Sequence, residues 1–278
     1  MRNFKLRYTA ASHPGQRQCN QDNLCIGREL PRIDGGDFFE TAGALAESAP
    51  QMLCVCDGIG GGASGDLAAA LALEGVQAAA CASGFQNDME DLALRAAEEA
   101  QARVCSHFRH IGRSGGCTMT LAAVDGDSFS FLNIGDSPGF LFRGDDQSLT
   151  ELSRRHNLEW HKRRMGVEPQ AHDSHFLMRY IGKTGCSPSL MAHVCTGALR
   201  PGDRILLCSD GITNAIPAEQ LQKLLSEGRS AADLVNRAAA YPGADNCTAI
   251  IFSVAGEKEG FHEREYDHHD FWPETESV

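Results

Sequence analysis

The feature that most constrains this chain lies at residues 52–70, MLCVCDGIGGGASGDLAAA. An apolar run of strand length ends at Asp57, glycine-rich backbone follows, and residues 66–81 are alanine-rich and long enough for a helix. A carboxylate at the end of a buried strand is hydrated and fixed in direction, so it can ligate a cation. The glycines let a backbone carbonyl or N–H group approach the same ligand.

Two other interpretations of this segment remain open at this point. The letters GIGGGA also fit the G-x-G-x-x-A pattern of dinucleotide-binding folds, which follows a strand and precedes a helix. That fold needs an acidic residue at the end of a second strand about 20 residues further on, whereas Glu74 lies inside the alanine-rich stretch. The segment is also compatible with a plain structural turn.

Length and composition indicate a globular protein without a membrane segment. With 278 residues, of which 42% are hydrophobic, the chain can form one large domain or two small ones. No uncharged apolar run reaches the roughly 18 residues of a membrane span, and the first ten residues lack the apolar region of a signal peptide. The eleven cysteines, an odd number with no C-x-x-C pair, indicate reduced thiols. We therefore expect a cytoplasmic protein that does not contact a membrane.

The negative charge is concentrated at the end of the chain. Residues 255–278 contain eight acidic and two basic side chains, which is half of the net charge of −12. No basic stripe offsets this acidity, so nucleic acid is not an expected partner. Because these residues also lack apolar periodicity, the sequence predicts one domain at 1–254 and a flexible acidic tail at 255–278.

The predicted strands and helices are grouped rather than strictly alternating. Strands are predicted at 118–124, 128–134 and 139–143, as an antiparallel meander with an Asp-Gly-Asp turn, and at 204–209 and 247–254. Helices are predicted at 66–81, 89–110, 218–227 and 231–241, the last with Ser230 as its N-cap. Grouping of this kind favours a layered α+β fold over a doubly wound sheet.

Residues 153–188 are mixed in character and charged, with no clear place in a sheet. Long connections of this kind in compact domains often carry function. We therefore predict that this segment is an excursion from the sheet and forms a flap or lid over a site.

Five aspartates share one kind of setting, because each lies next to Gly, Asn or Ser and beside a hydrophobic run. They are Asp22, Asp57, Asp136, Asp210 and Asp245. A single aspartate of this kind is ordinarily a turn former. If the strands lie side by side, however, the five side chains converge at one rim and repel one another unless cations neutralise them. Carboxylate oxygens of this kind select Mg²⁺ or Mn²⁺.

Six short motifs occur in a recognisable order along the chain. They are G-x-R-x-x-N-Q-D, V-C-D-G-I-G-G, G-C-T-M-T, I-G-D-S, L-C-S-D-G-I-T-N and A-D-N-C-T. Together, over about residues 3–254, they resemble the PPM (PP2C-type) metal-dependent protein serine/threonine phosphatases, most closely the bacterial branch. The resemblance implies a four-layer α-β-β-α sandwich in which helices flank two mainly antiparallel central sheets.

The resemblance also implies a metal centre with two Mn²⁺ or Mg²⁺ ions. Asp57 would bridge the ions, the main-chain carbonyl of Gly58 would ligate one of them, and Asp210 and Asp245 would complete the first ion's carboxylate set. Asp22 would act near the pair through coordinated water. Asp136 matches the aspartate that helps to hold a third, weaker ion.

By the same resemblance, the activity is hydrolysis of phosphoserine and phosphothreonine in proteins by a metal-bridged hydroxide, without a phosphoenzyme. Arg17 would bind the substrate phosphate, for which a guanidinium is well shaped, although a surface salt bridge is its plainer role. Thr118 and Asn246 are expected to be structural supports. The implied partners are phosphorylated protein substrates and a cognate Ser/Thr kinase whose action the enzyme reverses, and a monomer is expected.

Several positions depart from the family's pattern: Gln21, Ile59, Gly62, Pro138 and Asn214. Ile59 and Gly62 stand where relatives keep a histidine, so the general acid is unidentified. His13 and His156 are candidate donors, although a lone loop histidine is usually only solvated. The replacements at Pro138 and Asn214 weaken the case for a strongly held third ion.

Two further hypotheses about function remain open beside the leading one. A catalytically silent relative would bind a phosphoprotein or a kinase as a regulatory module, but the presence of Asp57, Asp210 and Asp245 argues against silence. A metal-dependent hydrolase of small phosphate esters would use the same ions, so only a comparison of substrates separates it from a protein phosphatase.

Overall fold

The computed structural model describes residues 5–31, 38–45, 50–59, 64–82 and 88–255. In this part of the chain twelve strands form two sheets, and helices cover the outer face of each sheet. The predicted acidic tail lies outside the described residues except for Ala255, and Gly62 lies outside them as well.

The strands are β1 (Lys5–His13), β2 (Asp22–Ile26), β3 (Phe39–Ala44), β4 (Gln51–Ile59), β5 (Gly116–Cys117), β6 (Met119–Asp125), β7 (Ser128–Ile134), β8 (Gly139–Phe142), β9 (Leu149–Glu151), β10 (His193–Ala198), β11 (Arg204–Cys208) and β12 (Cys247–Ala255). The helices are α1 (Gly65–Ala82), α2 (Met89–His110), α3 (Leu158–Arg164), α4 (Pro188–Met191), α5 (Asp210–Ala215), α6 (Ala218–Ser226) and α7 (Ala231–Ala239), with a 3₁₀ turn at Asp173–His175.

The two sheets pack face to face between two layers of helices. The first sheet has the order β3-β1-β12-β11-β8-β9, and the second has the order β10-β7-β6-β4-β2, with β5 paired to β4. One apolar cluster lies between the sheets, a second lies between the second sheet and α1 and α2, and a third lies between the first sheet and α5, α6 and α7. All strand pairs are antiparallel in the described residues. The predicted four-layer α-β-β-α sandwich is confirmed.

Strand β4 is apolar on both faces because it is covered on both sides. Leu53 and Val55 point into the cluster between the sheets, whereas Cys54 and Cys56 point toward α1 and α2. This alternation has the period of two that a strand requires. Its antiparallel pairing with β2 and β6 also differs from the parallel pairing of the dinucleotide fold.

Helix α1 is rich in small residues because it packs closely against α2. A Cβ atom added at Gly75 would lie only 2.5 Å from the backbone nitrogen of Ala100. Alanine and glycine therefore allow the two backbones to approach, and the buried faces of both helices consist largely of alanine.

Most of the predicted elements agree with the structure to within about two residues. Helix α2 has the predicted bounds, and Ser230 caps α7 through a reciprocal capping box with Asp233. The turn between β6 and β7 contains Gly126 at φ 59°, a left-handed conformation in which glycine is favoured.

The predicted meander is wrong in its third strand. Strands β6 and β7 pair in the second sheet, but β8 crosses to the first sheet, where it pairs with β9 and β11. The crossing occurs at residues 135–138, where Gly135 has φ 111°. Residues other than glycine rarely adopt this φ. Glycine at position 135 therefore allows the chain to leave one sheet and enter the other. This crossing segment carries Asp136.

The charged excursion contains α3, the 3₁₀ turn and α4 between β9 and β10. It is attached to the core by two backbone hydrogen bonds between Cys117 and Ile181, at 3.0 and 2.9 Å. The side chain of Gln101 adds hydrogen bonds to Gly182 and Lys183 at 2.7 Å each. Movement of this segment as a flap or lid stays a prediction.

All eleven cysteines lie in the described residues as free thiols, as the sequence predicts. None of the helices in the described part of the chain combines the length and the hydrophobicity that a membrane span requires.

Candidate active site

The centre of the candidate site is a pair of neighbouring strands that each carry an aspartate. Asp22 is the first residue of β2 and lies directly opposite Asp57 of β4 in the antiparallel register. The N–H of Gly58 donates to the carbonyl of Gln21 at 3.2 Å, which fixes the two strand ends together. The register therefore places two carboxylates side by side at one edge of the second sheet.

Three further aspartates reach the same place from turns. Asp136 lies in the crossing between β7 and β8, Asp210 begins α5 directly after β11, and Asp245 precedes β12. We call the five aspartates (Asp22, Asp57, Asp136, Asp210 and Asp245) the acidic rim. The charges of the other four act on Asp57, so the structure brings together all five residues that the sequence singles out.

Burial and mutual repulsion make ionisation unfavourable at the acidic rim. Burial, opposed by nearby hydroxyls and reinforced by Asp210 and Asp245, raises the pKa of Asp22 to about 7. Burial and Asp210 raise the pKa of Asp136 to about 6, against the opposing effects of Asn157 and Arg155. The pKa values of Asp57 and Asp210 are also raised, first by burial and then by neighbouring carboxylates. Bound cations would reverse these shifts.

Asp22 provides the clearest sign that a cation fits here. Neither of its carboxylate oxygens has a hydrogen-bond partner of normal geometry among the described residues, and both are buried. The hydroxyl dipoles of Ser209 and Thr248 offset only part of the effect of burial on its pKa. A buried carboxylate without a partner is costly, and a divalent cation would compensate it.

The backbone at Gly58 is packed too closely for any side chain. A Cβ atom there would lie 2.3 Å from the carbonyl oxygen of Gly65 and 2.8 Å from that of Gln21. Within the described ranges, no three His, Cys, Asp or Glu side chains already form a metal cage. Mg²⁺ sites commonly use only one or two protein carboxylates, with water completing the shell, so the residues present fit such an ion.

Thr118 supports the rim from the neighbouring strand. Its hydroxyl accepts from the N–H of Asp57 at 3.0 Å, and its own N–H donates to the carbonyl of Asp57 at 2.8 Å. The same hydroxyl lies 2.7 Å from that of Ser137, which follows Asp136. Thr118 therefore links the backbone of Asp57 to the crossing segment. Ser137 was not among the residues predicted from the sequence, although it belongs to the I-G-D-S motif.

Asn246 supports the loop that carries Arg17. Its side-chain carbonyl accepts from the N–H of Gln21 at 2.9 Å, and its amide group donates to the carbonyls of Pro14 and Cys19 at 2.8 and 2.9 Å. The Nη2 of Arg17 donates to Oδ2 of Asp245 at 2.8 Å, with 61% and 41% of the two side chains exposed. Arg17 therefore lies at the exposed side of the acidic rim, where it can meet a solvent-borne anion.

The two candidate histidines differ in their surroundings. Nδ1 of His13 accepts from the N–H of Gly15 at 2.8 Å, and His13 lies opposite Cys247 at the start of β12. His156 is only 6% exposed, and its Nδ1 accepts from the N–H of Gly135 at 3.2 Å. The expectation that His156 is simply solvated is therefore wrong.

The electrostatic surroundings of His156 keep it uncharged. Burial, followed by the charges of Arg179, His193 and Arg154, lowers the pKa of His156 to about 3. At neutral pH this imidazole is neutral, which makes it a poor general acid.

Comparisons with known proteins agree with this fold and site. The family model described as "Protein phosphatase 2C" matches residues 34–243. The serine/threonine phosphatase stp of Listeria welshimeri is 25% identical over 240 residues, which cover 78% of this chain and 88% of that protein. The serine/threonine protein phosphatase PstP of Mycobacterium tuberculosis is 27% identical over 267 residues, covering 90% of this chain and 45% of that protein.

Solved structures show the same fold. The catalytic domain of PstP in complex with two manganese ions has a TM-score of 0.72 at 24% identity, covering 91% of this chain and all of that one. The serine/threonine phosphatase of S. agalactiae has a TM-score of 0.74 at 19% identity, covering 90% of this chain and 99% of that one.

The matched family model spans most of the chain and includes three of the five aspartates of the rim, Asp57, Asp136 and Asp210. The chain therefore belongs to the protein phosphatase 2C family, the PPM family that its motifs resemble. This membership confirms the predicted enzyme class, a protein serine/threonine phosphatase.

Proposed function

We propose that this protein hydrolyses phosphoserine and phosphothreonine in phosphorylated proteins with the help of divalent cations. The observation that carries the proposal is the convergence of five aspartates at one rim, where the buried oxygens of Asp22 have no hydrogen-bond partner among the described residues. An arginine lies at the exposed side of this rim. Carboxylates for cations beside a guanidinium for phosphate are the groups that metal-assisted phosphate hydrolysis requires.

Two Mn²⁺ or Mg²⁺ ions would be held by Asp57, the carbonyl of Gly58, Asp210 and Asp245, with Asp22 acting through coordinated water. Asp136 would help to hold a third, weaker ion. The two manganese ions named for the PstP catalytic domain support this choice of cofactor. When bound, such ions would lower the pKa of coordinated water and neutralise charge on the phosphoryl oxygens.

The chain's own side chains orient the substrate. Arg17 would exchange its exposed pairing with Asp245 for a bidentate contact with the substrate phosphate, because its guanidinium has several donors in one plane. Thr118 keeps the backbone of Asp57 in place through two hydrogen bonds. Since His156 is neutral and buried, we retain His13 as the candidate that donates a proton to the departing serine or threonine oxygen.

The proposed partners are phosphorylated proteins and a cognate serine/threonine kinase whose action this enzyme reverses. The names of the bacterial relatives, which are serine/threonine phosphatases, support the first of these. We also propose that the protein acts as a monomer in the cytoplasm. Its eleven free cysteines support a reducing compartment.

The test is phosphate release from a phosphothreonine peptide with Mn²⁺ present, repeated after EDTA is added in excess. We expect turnover that EDTA abolishes and added Mn²⁺ restores. Turnover that is independent of metal would contradict the two-ion arrangement. Binding of the peptide without turnover would favour a catalytically silent regulatory module. A higher kcat/KM on p-nitrophenyl phosphate than on any phosphopeptide would favour a hydrolase of small esters.

A further inference from the structure

A second charged cavity lies in the excursion between β9 and β10. It has a volume of about 270 Å³ and is lined by Arg154, His156, Trp160, Arg164, Arg179, Ala192 and His193. We call these seven residues the basic pocket. Among the residues that the structure describes, no acidic side chain lines this pocket, although the whole chain has a net charge of −12. The charge of this segment is visible in the sequence, but the gathering of its basic residues in one pocket is not.

The three arginines of the basic pocket have no acidic partner in the described part of the chain. Arg154, Arg164 and Arg179 are all exposed, and none of them forms an ion pair there. The guanidinium of Arg179 donates to the carbonyl of Met191 at 2.9 Å, which leaves other donors available. The arginines thus offer positive charge without a counter-charge.

Another cavity of similar size shows the contrast. A cavity of about 320 Å³ beside α6 and α7 also contains basic residues, but Glu227 and Asp233 line it as well. Arg229 pairs with Glu227 at 3.3 Å, and Lys223 lies 3.9 Å from the same carboxylate. Arg229 and Lys223 in this cavity are thus balanced by a neighbouring carboxylate, whereas the arginines of the basic pocket have no such partner among the described residues.

The basic pocket combines its charge with ordered side chains. The guanidinium carbon of Arg164 lies 4.9 Å from the centre of the Trp160 ring, which holds the arginine over an aromatic face. Asn157 caps α3 by accepting from the N–H of Trp160 at 3.0 Å. The buried ring of His156 forms the floor through its hydrogen bond with Gly135. These contacts preorganise the pocket before any ligand binds.

The basic pocket adjoins the acidic rim. His156 exchanges two hydrogen bonds with Gly135, the residue immediately before Asp136. The amide of Asn157, the next residue, is 3.5 Å from Oδ2 of Asp136. A peptide whose phosphorylated residue sits at the rim can therefore place a neighbouring side chain in the pocket.

We propose that the basic pocket binds a second phosphoryl group on the substrate, so that the enzyme prefers protein segments phosphorylated at two nearby residues. This inference rests on the proposed phosphatase function, because the first phosphoryl group must occupy the rim. Three unpaired arginines match the multiple oxygens and the double charge of a phosphoryl group better than a single carboxylate. The volume of about 270 Å³ falls just below the range of about 300–1,000 Å³ for clefts that hold drug-sized ligands, which suits one modified side chain.

The test uses phosphothreonine peptides in which one neighbouring position carries a non-hydrolysable phosphonate analogue of phosphoserine, glutamate or alanine. The substituted position is placed in turn at each residue near the phosphothreonine. Release of the phosphothreonine phosphate is then measured with Mn²⁺ present. For the best position we expect kcat/KM to be about tenfold higher with the phosphonate than with alanine, the size of one charge-assisted hydrogen bond. The value of kcat/KM for the glutamate peptide should lie between the values for the phosphonate and alanine peptides.

The double variant Arg154→Gln with Arg164→Gln should reduce this preference to nearly one. Arg229→Gln, which removes a positive charge from the balanced cavity, should leave it unchanged. Circular dichroism reports whether the double variant is folded. If it is not, Arg164→Gln alone, at the exposed end of α3, provides the comparison.

Three results would overturn the inference: no preference at any position, equal rates for glutamate and phosphonate, or a preference that survives in the double variant. Fluorescence anisotropy with the same labelled peptides measures the preference without turnover. If no peptide is hydrolysed with Mn²⁺, the proposed function fails, and the anisotropy result still decides whether the basic pocket binds the second group.

Discussion

The acidic rim and the basic pocket are neighbours with opposite charge and opposite burial. The rim collects five aspartates at the ends of strands and in turns of the core, where burial raises the pKa of Asp22 to about 7. The pocket collects arginines in the excursion, and all three are exposed. Hydrogen bonds from Gly135 to His156 and from Asn157 to Asp136 connect the two.

Because of this difference in burial, the acidic rim depends more strongly on bound cations than the basic pocket depends on a bound anion. A buried carboxylate loses its hydration, so the rim is costly until cations bind. An exposed arginine keeps water as its partner, so the pocket can stay empty at little cost. Substitution of the buried aspartates of the rim should therefore change activity and stability more than substitution of exposed residues beside the rim.

Asp57→Asn should have the largest effect on activity. In the proposed metal site an amide would be a poor substitute for the Asp57 carboxylate, so we expect kcat/KM on a phosphothreonine peptide to fall by more than about 100-fold. This is the upper end of the loss for residues that only support metal ligands. Phosphate release and circular dichroism measure activity and folding. Asp66→Asn, at an exposed position in the first turn of α1, is the matched control and should keep wild-type activity. Comparable activity of the two variants would remove Asp57 from the metal centre.

Asp22→Asn should separate stability from activity. Because the carboxylate is buried without a hydrogen-bond partner among the described residues, its removal should stabilise the metal-free protein by about 2 kcal/mol, while activity with Mn²⁺ falls. Urea unfolding in EDTA at a pH above 7 measures the first effect, since Asp22 is then ionised in the wild type. Asp125→Asn, in the exposed hairpin turn, should leave the free energy of unfolding unchanged. A destabilised Asp22→Asn protein would show that the carboxylate is compensated without metal.

Arg17→Ala tests the exposed side of the rim. We expect KM for a phosphopeptide to rise about tenfold with a smaller change in kcat, because the proposed contact would bind the phosphate in ground and transition states alike. Arg200→Ala is a close control, since Arg200 also pairs with an aspartate at 2.8 Å and is 65% exposed. An exposed ion pair contributes only about 0–1 kcal/mol to stability, so neither variant should unfold. Equal KM values for the two variants would assign Arg17 to a surface salt bridge only.

His156 lies between the acidic rim and the basic pocket. Its contribution to the free energy of unfolding should depend on pH. Its pKa is about 3 in the folded protein, below the ordinary value of 6.5, so between these values the unfolded chain binds a proton that the folded protein does not. The stability that neutral His156 contributes is complete above pH 6.5 and is lost as the pH falls toward 3, by up to about 1.4 kcal/mol per pH unit.

Denaturant unfolding of wild type and His156→Gln between pH 7 and pH 5 measures this loss. The free-energy difference between the two proteins should shrink as the pH falls. Comparing variants is necessary because the raised pKa values at the rim act in the opposite sense. Parallel pH curves for wild type and His156→Gln would contradict a lowered pKa of His156 in the folded protein.

The sequence predicted the elements whose pattern is local. Helix α2 and the cap at Ser230 follow from apolar periodicity and capping residues, which act within a few positions of the chain. The hairpin between β6 and β7 follows from its Asp-Gly-Asp turn. Strand β8 was placed in the wrong sheet, because the crossing at Gly135 depends on which sheet has room to pair with it.

In the candidate site, too, local features could be predicted from the sequence, whereas contacts between distant residues could not. Each aspartate of the rim was visible as a polar residue beside an apolar run, and the order of the motifs indicated the family. Their proximity depends on pairings such as Asp22 with Asp57, which join distant parts of the chain. The buried state of His156 could not be predicted, because it depends on the hydrogen bond with Gly135 and on packing by the excursion.

By itself, the sequence determined the family, the layered α+β class and the five aspartates, because the motifs and the apolar patterns that carry them are local and survive in the linear order of residues. Only the tertiary structure decided that Asp22 is buried without a hydrogen-bond partner among the described residues and that three arginines gather beside the rim without an acid. Burial and the absence of a counter-charge are properties of neighbours in space. The residues that line the basic pocket span positions 154–193, and no spacing rule connects them.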